Sequence, residues 1–237
     1  MRTVWVILVA VVVTVRYGVR TLWAAWRRSP RMDEVCWQVP RAWAGALLRA
    51  GGVRVEMTGV EHLSAHEAGI LVANHESWYD VLALGAHLPV TFRFVGKKEL
   101  TRVPLFGPAW QACGNIAIDR SDHEAALRSL DRAGELLRQG GGVVILFPEG
   151  TRSPHRDMLP FKKGAFMMAL QLGLPLIPVG ISGSREVMPK GSLRIRPGTI
   201  HVRIGEPIPV AGLTEADRDG LMARTRAVVD ALRKREL

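Results

Sequence analysis

Three short apolar runs constrain this chain more than any other feature. Gly69-Ile70-Leu71-Val72-Ala73, Val143-Val144-Ile145-Leu146-Phe147 and Pro175-Leu176-Ile177-Pro178-Val179-Gly180 carry no charge and are rich in β-branched residues. Strands of this kind are buried on both faces, so they demand a sheet with helices on either side. Helix-length amphipathic segments separate them: 33 to 50, Asp80 to about Ala86, Ser121 (with Glu124 as a capping box) to about Arg138, and Lys163 to Leu172. Thr214 to Arg235 is a last amphipathic helix. Weaker strands are expected at Val53–Met57, Phe92–Gly96 and Gly114–Arg120, and Leu193–Arg196 with His201–Ile204 reads as a late hairpin. The alternation predicts an α/β fold, a mostly parallel or mixed sheet covered by helices on both faces. With 237 residues the chain suits one large α/β domain, with or without an appendage.

The N-terminus is of another kind. Thr3 to Val15 is almost continuously apolar, and Arg16 and Arg20 interrupt before Leu22-Trp23-Ala24-Ala25-Trp26. The uninterrupted core falls short of the ~20 residues that cross a bilayer, while extension to Trp26 needs both arginines to snorkel. Trp5, Trp23 and Trp26 are placed as interfacial anchors, and Arg16, Arg20, Arg27, Arg28 and Arg31 all follow the apolar core. A membrane anchor is expected, either spanning or lying in one leaflet, with the body of the protein on the cytoplasmic side. Pro40 should kink or restart the helix that follows, and Gly51-Gly52 ends it.

The chain carries 32 basic and 22 acidic residues, a formal charge of +10, which suits an anionic partner without naming it. No zinc-finger spacing or RNA-recognition motif accompanies that charge, so nucleic acid is not expected as a partner. Cys36 and Cys113 form no C-x-x-C pair; no disulfide is expected, and a reducing compartment follows. His62 and His66 lack a third ligand pattern, so no metal site is expected.

Chemistry gathers where the strands end. Ala73 is followed by Asn74-His75-Glu76-Ser77-Trp78-Tyr79-Asp80, Ile118 by Asp119-Arg120, and Leu146 by Phe147-Pro148-Glu149-Gly150-Thr151-Arg152-Ser153. Ligands of open α/β sheets bind outside the carboxyl ends of strands. A histidine can take and return a proton near neutrality, and a carboxylate on its ring fixes the tautomer and stabilises the cation. Within one helix, five residues advance ~7.5 Å and ~140° around the axis. His75 and Asp80 therefore meet only if His75 precedes the helix and folds back over its first turn, with Ser77 near the cap. Arginines that share a position at strand ends suit a phosphate, which their planar fork binds through paired charge-assisted bonds.

These blocks together resemble the 1-acylglycerol-3-phosphate acyltransferase (lysophosphatidic acid acyltransferase) family. His75 and Asp80 match its H-x4-D motif, Gly114–Arg120 its second block, Phe147–Ser153 its third, and Leu176–Val179 its fourth. Ala117 departs from the aromatic often found there. The resemblance implies a glycerolphosphate acyltransferase-like α/β domain over 51–237, after a membrane-anchoring helical region over 1–50. It implies acyl transfer from acyl-CoA or acyl carrier protein, as co-substrate and with no cofactor, to the sn-2 hydroxyl of a lysophospholipid at the inner face of the cytoplasmic membrane. His75 would be the base and Asp80 its orienter. Arg120 and Arg152, assisted by Lys97, would hold the phosphate, and Glu149, Gly150 and Thr151 would shape the acceptor pocket.

Other readings differ in observable ways. Another lysolipid, such as a lyso-ornithine lipid, would leave the chemistry intact and remove the need for a phosphate site. A serine hydrolase would use Gly180-Ile181-Ser182-Gly183-Ser184, which misses G-x-S-x-G at its last position. A non-enzymatic module binding anionic lipid or nucleic acid would need only the surplus charge, and with DNA its binding would depend steeply on salt.

Overall fold

Alternation along the apolar strands divides their side chains between two cores. The computed structural model describes residues 1–63, 68–119, 129, 134, 135, 137 and 141–234. Its strands are β1 (Val53–Thr58), β2 (Gly69–Ala73), β3 (Phe92–Lys97), β4 (Ile116–Ile118), β5 (Val143–Leu146), β6 (Leu176–Ser182) and β7 (Gly198–Ile204). Its helices are α1 (Arg2–Trp26), α2 (Met32–Gly51), α3 (Trp78–His87), α4 (Phe106–Ala112), α5 (Gly164–Leu172), α6 (Ser184–Val187) and α7 (Arg218–Lys234). The helix expected from 121 to 138 falls almost wholly outside the described residues.

Among the described residues the strands form one sheet in the order β1-β7-β6-β2-β5-β3-β4. Every pairing is parallel except β6 with β7. The sheet is therefore mixed, and helices lie on both faces as the patterning predicts. Leu71, Ala73, Val143, Ile145, Ile177 and Val179 join Leu47, Leu48, Ala83 and Leu84 in one core. Ile70, Val72, Val144, Leu146 and Leu176 join Phe166, Met168, Leu221 and Val229 in the other. Each fully buried aliphatic side chain contributes ~1.5–3 kcal/mol, so a strand shifted by one residue would exchange the two sets and lose the fit of both.

Three sequence expectations are corrected. Leu193–Arg196 is not a strand: β7 pairs with β6 on one side and β1 on the other. The backbone N–H groups of Ile195 and Arg196 instead donate to Thr3 Oγ1 (3.1 Å) and Val187 O (2.9 Å). Pro40 does not restart α2, which runs through it to the left-handed cap at Gly52. A proline removes one intrahelical donor, and here Arg41 adds others: it donates to Trp37 O (2.8 Å), Leu88 O (2.6 Å) and Val90 O (2.9 Å). Cys36 and Cys113 are joined in a disulfide across 77 residues. Both border one cavity between α2 and α4, a proximity that no cysteine spacing reports.

Helix α1 is continuous through Arg16 and Arg20 and is long and apolar enough to cross a membrane. One face packs on the protein through Val6, Gly18, Thr21 and Ala24, and the other exposes Trp5, Leu8, Val12, Val19, Trp23 and Trp26. It is fastened along its length. Thr3 accepts from Ile195, Thr14 Oγ1 accepts from Trp43 Nε1 (3.0 Å), and Arg20 donates to Gln38 (3.0 Å).

At the opposite end of the chain, α7 closes on β6 at Gly180. A Cβ there would collide with the backbone of Leu232 and Arg233. Main chain cannot swing aside as a side-chain tip can, so Gly180→Ala should cost the upper part of the ~1–3 kcal/mol typical of overpacking. Chemical denaturation of the two purified proteins in the same detergent measures this, and an unchanged midpoint would contradict the close approach.

Candidate active site

The strand-to-helix turn after β2 satisfies the geometric condition for the His75–Asp80 pair. Ser77 is the N-cap of α3 in extended conformation (φ −146°, ψ 158°), and its hydroxyl accepts from the Tyr79 N–H at 3.2 Å. Asp80 lies at the third helical position and its carboxylate reaches back over the turn, completing a capping box. Asp80 Oδ2 receives the N–H groups of Glu76 (2.7 Å) and Ser77 (2.8 Å), and His75 Nδ1 lies 2.8 Å from the same oxygen. An acceptor there makes Nδ1 the protonated ring nitrogen. Nε2 then carries the lone pair and has no hydrogen-bond partner among the described residues. Asp80 is wholly buried, while the His75 side chain keeps 13% of its surface.

The rest of the turn is fixed from several sides. Asn74, also wholly buried, exchanges two hydrogen bonds with the Ile181 backbone of β6 (2.8 and 2.7 Å). Ser77 Oγ donates to Met188 O at 2.7 Å. Phe147, at the end of β5, stacks on the His75 ring with centroids 4.1 Å apart. Glu149 Oε1 accepts from the His75 N–H (2.7 Å) and Oε2 from the Leu159 N–H (2.8 Å). Burial raises the Glu149 carboxyl above its ordinary range, and those two donors offset part of the rise. Glu149 thus braces the backbone that carries the base, a more specific position than the pocket-shaping one expected of it.

Gly150 turns the chain at φ 72°, which favours glycine, and the Lys162 side chain runs over its Cα. Arg152 follows, its Cζ 5.1 Å from the centre of the Trp78 ring. Burial lowers the Arg152 pKa, and the charge of Asp80 acts in the opposite direction. Thr151 is exposed on this turn. Lys97 is the exposed last residue of β3. In the sheet β2, β5 and β3 are consecutive, so His75, Glu149–Arg152 and Lys97 stand at neighbouring carboxyl ends of one edge. Arg120 lies outside the described residues.

Away from this edge, toward the amino end of β3, is a cavity of about 470 Å³ between α1, α2, α3 and α4, and neither His75, Asp80, Lys97, Glu149 nor Arg152 lines it. Its walls include Gly18, Trp43, Val81, Gly85, Phe94 and Phe106, and Val81 is the residue after Asp80. That volume is within the range of sites for small organic ligands.

The near-match to G-x-S-x-G has a packing explanation. Ser182 Oγ accepts from Arg203 Nη1 (3.1 Å), and Ser184 is wholly buried. His201, opposite Ser182 in the β6–β7 pair, has Nδ1 3.2 Å from Glu56 Oε2. No bond joins that ring to the serine hydroxyl, as a nucleophile and its base require.

A base held by a buried acid at a strand end, with an arginine on the neighbouring strand end, is an arrangement that can move a proton next to a group able to bind an anion. The comparisons with known proteins agree: residues 54–182 match the Acyltransferase family model, and the chain belongs to that family. It is 34% identical over 175 residues to 1-acyl-sn-glycerol-3-phosphate acyltransferase alpha of Homo sapiens, covering 74% of this chain and 62% of that protein. It is 35% identical over 164 residues to 1-acyl-sn-glycerol-3-phosphate acyltransferase of Limnanthes alba, covering 69% and 58%. The chain thus spans about three fifths of the length of these relatives. The crystal structure of the 1-acyl-sn-glycerophosphate (LPA) acyltransferase PlsC from Thermotoga maritima superposes with a TM-score of 0.83 at 28% identity, covering 100% of this chain and 96% of that one.

Several site residues carry no signal in spacing or motif. Glu76 is 7% exposed and lies between Arg185 (3.8 Å) and Arg233 (3.6 Å), which arrive from α6 and α7. Burial above all, then the charge of Asp80, pushes its carboxyl up from 4.5 to about 7; Arg185 and Arg233 lower it in part, and Glu186 adds to the rise. The folded state therefore keeps a proton that the unfolded chain has released, and this group's contribution to stability falls as pH rises through that window. Relative to Glu76→Gln, the wild-type unfolding midpoint should decline between about pH 5 and 8. Parallel thermal melts test this, and a flat difference would show that the carboxyl is not raised.

Proposed function

We propose that this protein transfers an acyl chain from acyl-CoA or acyl carrier protein to the sn-2 hydroxyl of 1-acylglycerol-3-phosphate, giving phosphatidic acid. What carries the reading is His75, pinned at Nδ1 by buried Asp80 so that the lone pair is on Nε2. Nε2 takes the hydroxyl proton as the oxygen attacks the thioester carbonyl. The tetrahedral intermediate then collapses, the C–S bond breaks, and the departing thiolate receives the proton from the imidazolium. Asp80 holds the tautomer and steadies the cation throughout. No acyl-enzyme is needed.

Arg152, seated on Trp78, holds the phosphate, with Lys97 on the adjacent strand end and Arg120 completing the set. Gly150 and Thr151 form the turn against which the headgroup rests. The acyl chain is assigned to the cavity that α3 borders at Val81 and Gly85, which the reacting groups themselves do not line. Helix α1 lies in one leaflet of the inner membrane rather than spanning it. A spanning helix would have to shed the bonds that fasten Thr3, Thr14 and Arg20 to the domain, and its outer face presents a continuous apolar surface with tryptophans at both ends. The arginines that follow the apolar core of α1 favour the cytoplasmic side, where both donors are found, against the Cys36–Cys113 disulfide, which is uncommon in a reducing compartment.

The test is an acceptor panel with purified full-length protein in detergent, offering both donors in parallel. Transfer to lysophosphatidic acid should exceed transfer to phosphate-free lysolipids, and His75→Ala should lose at least the ~10²–10⁴-fold of general base catalysis. Preference for a phosphate-free acceptor would overturn the substrate, and near-normal turnover by His75→Ala would overturn the mechanism.

A further inference from the structure

The loop that bears Arg152 is held in place from outside the acyltransferase motifs. Arg185 donates to Pro154 O (2.9 Å), Ser153 O (3.0 Å) and His155 O. Arg233, at the end of α7, donates to Arg156 O at 2.7 Å. Two guanidinium groups thus hold four consecutive carbonyls, 153 to 156. From within the loop, Ser153 Oγ donates toward His155 O (2.8 Å) and Asp157 O (2.7 Å), and the Ser153 N–H donates to His75 O at 2.7 Å. The two arginines converge on one carboxylate, that of Glu76: Oε2 is 3.8 Å from Arg185 Nε and Oε1 is 3.6 Å from Arg233 Nη1. All three side chains keep 15% or less of their surface. Asp230 is the second anion on Arg233 (2.7 Å), and the Arg156 guanidinium lies 3.6 Å from Glu186.

We propose that Glu76 is a positioning residue for the acceptor: through Arg185 and Arg233 it clamps the 153–156 loop, and so sets where Arg152 meets the ligand. The inference rests on the function proposed above and adds to it a residue that touches no substrate. Glu76 is chemically suited to the task. It follows the base directly in sequence, so one turn fixes both the proton acceptor and, through the arginines, the anion-binding side chain. Two buried like charges would repel each other without an anion between them, and each would turn from its carbonyls toward solvent. Arg233 reaches this point because Gly180 lets α7 close onto β6.

Two measurements on the full chain in detergent at about pH 8.5, where the Glu76 carboxyl is ionised, test the clamp. Limited trypsin digestion mapped by mass spectrometry reads the loop directly. In Glu76→Ala, cleavage after Arg152 and Arg156 should speed up about tenfold, while cleavage after Arg102, in the turn beyond β3, stays constant. Steady-state kinetics read the consequence: the acceptor KM should rise about tenfold, with kcat and the donor KM within about twofold. In an Arg152→Ala background the same Glu76→Ala change should move the acceptor KM by less than about twofold, because residues acting through one another are not additive. Glu76→Gln keeps the shape and removes the charge, and it takes the place of Glu76→Ala if that variant fails to fold. A wild-type protein that acylates no lysolipid refutes the proposed function itself. An active wild type in which Glu76→Ala leaves the loop resistant, or raises KM equally in both backgrounds, refutes the clamp alone.

Discussion

One carboxylate oxygen, Asp80 Oδ2, is the point on which the site depends. It takes the His75 ring and the two backbone N–H groups that open α3, so a single atom caps a helix and orients the candidate base. Helix N-termini leave donors unsatisfied, and a cap typically contributes ~0.5–2 kcal/mol. Here that local stabilisation also holds the geometry of the pair. Because Ser77 and Asp80 close the capping box, the chain must turn back at His75, and the imidazole is delivered over the first turn rather than along the side of the helix. The spacing of four between histidine and aspartate is the length of that turn.

The cost of the arrangement is a crowd of buried acids. Glu76, Asp80 and Glu149 are 7%, 0% and 2% exposed and lie around one imidazole. Burial penalises each carboxylate, and mutual repulsion adds to the penalty. The protein offsets the three in different ways. Glu149 and Asp80 are met by backbone N–H groups, which stay in place as long as the strand ends and helix start exist. Glu76 is met by two arginines at ion-pair rather than hydrogen-bond distance, and burial raises its carboxyl from 4.5 to about 7 against their charge. The backbone-satisfied pair is tied to the fold itself. The arginine-satisfied one is tied to the docking of α6 and α7, and so to the loop they hold.

How much of this was legible in the sequence follows the range of each interaction. Buried strands read as apolar runs because both their faces are dry, and their order of alternation with helices predicts a mixed covered sheet. The His75–Asp80 geometry was legible because it is closed within six residues. Arg152 was legible by its place after a strand, but its seat on Trp78 was not, since the two lie 74 positions apart. The same limit explains the misread segments. Leu193–Arg196 alternates like a strand, yet its donors find Thr3 and Val187 before they find a sheet. The disulfide joins residues 77 apart, and the partners of the Glu76 carboxylate arrive from α6 and α7. Interactions that need the finished fold leave no period in the chain.

Under the proposed acyl transfer, helix α3 joins the two halves of an amphiphile's site. Ser77 and Asp80 at its start are committed to the cap and the base, while Val81, the next residue, and Gly85, one turn further, belong to an apolar wall shared with α1, α2, β3 and α4. An acyl thioester and a lysolipid have the same division, a polar reacting centre attached to a long chain. The exposed face of α1 supplies the remaining requirement, because such substrates reside in a membrane and the helix that borders the cavity at Thr14 and Gly18 is the one that presents an apolar surface outward. Under the proposed acyl transfer, the same helix that docks the protein on the bilayer forms a wall of the chamber the chain must enter.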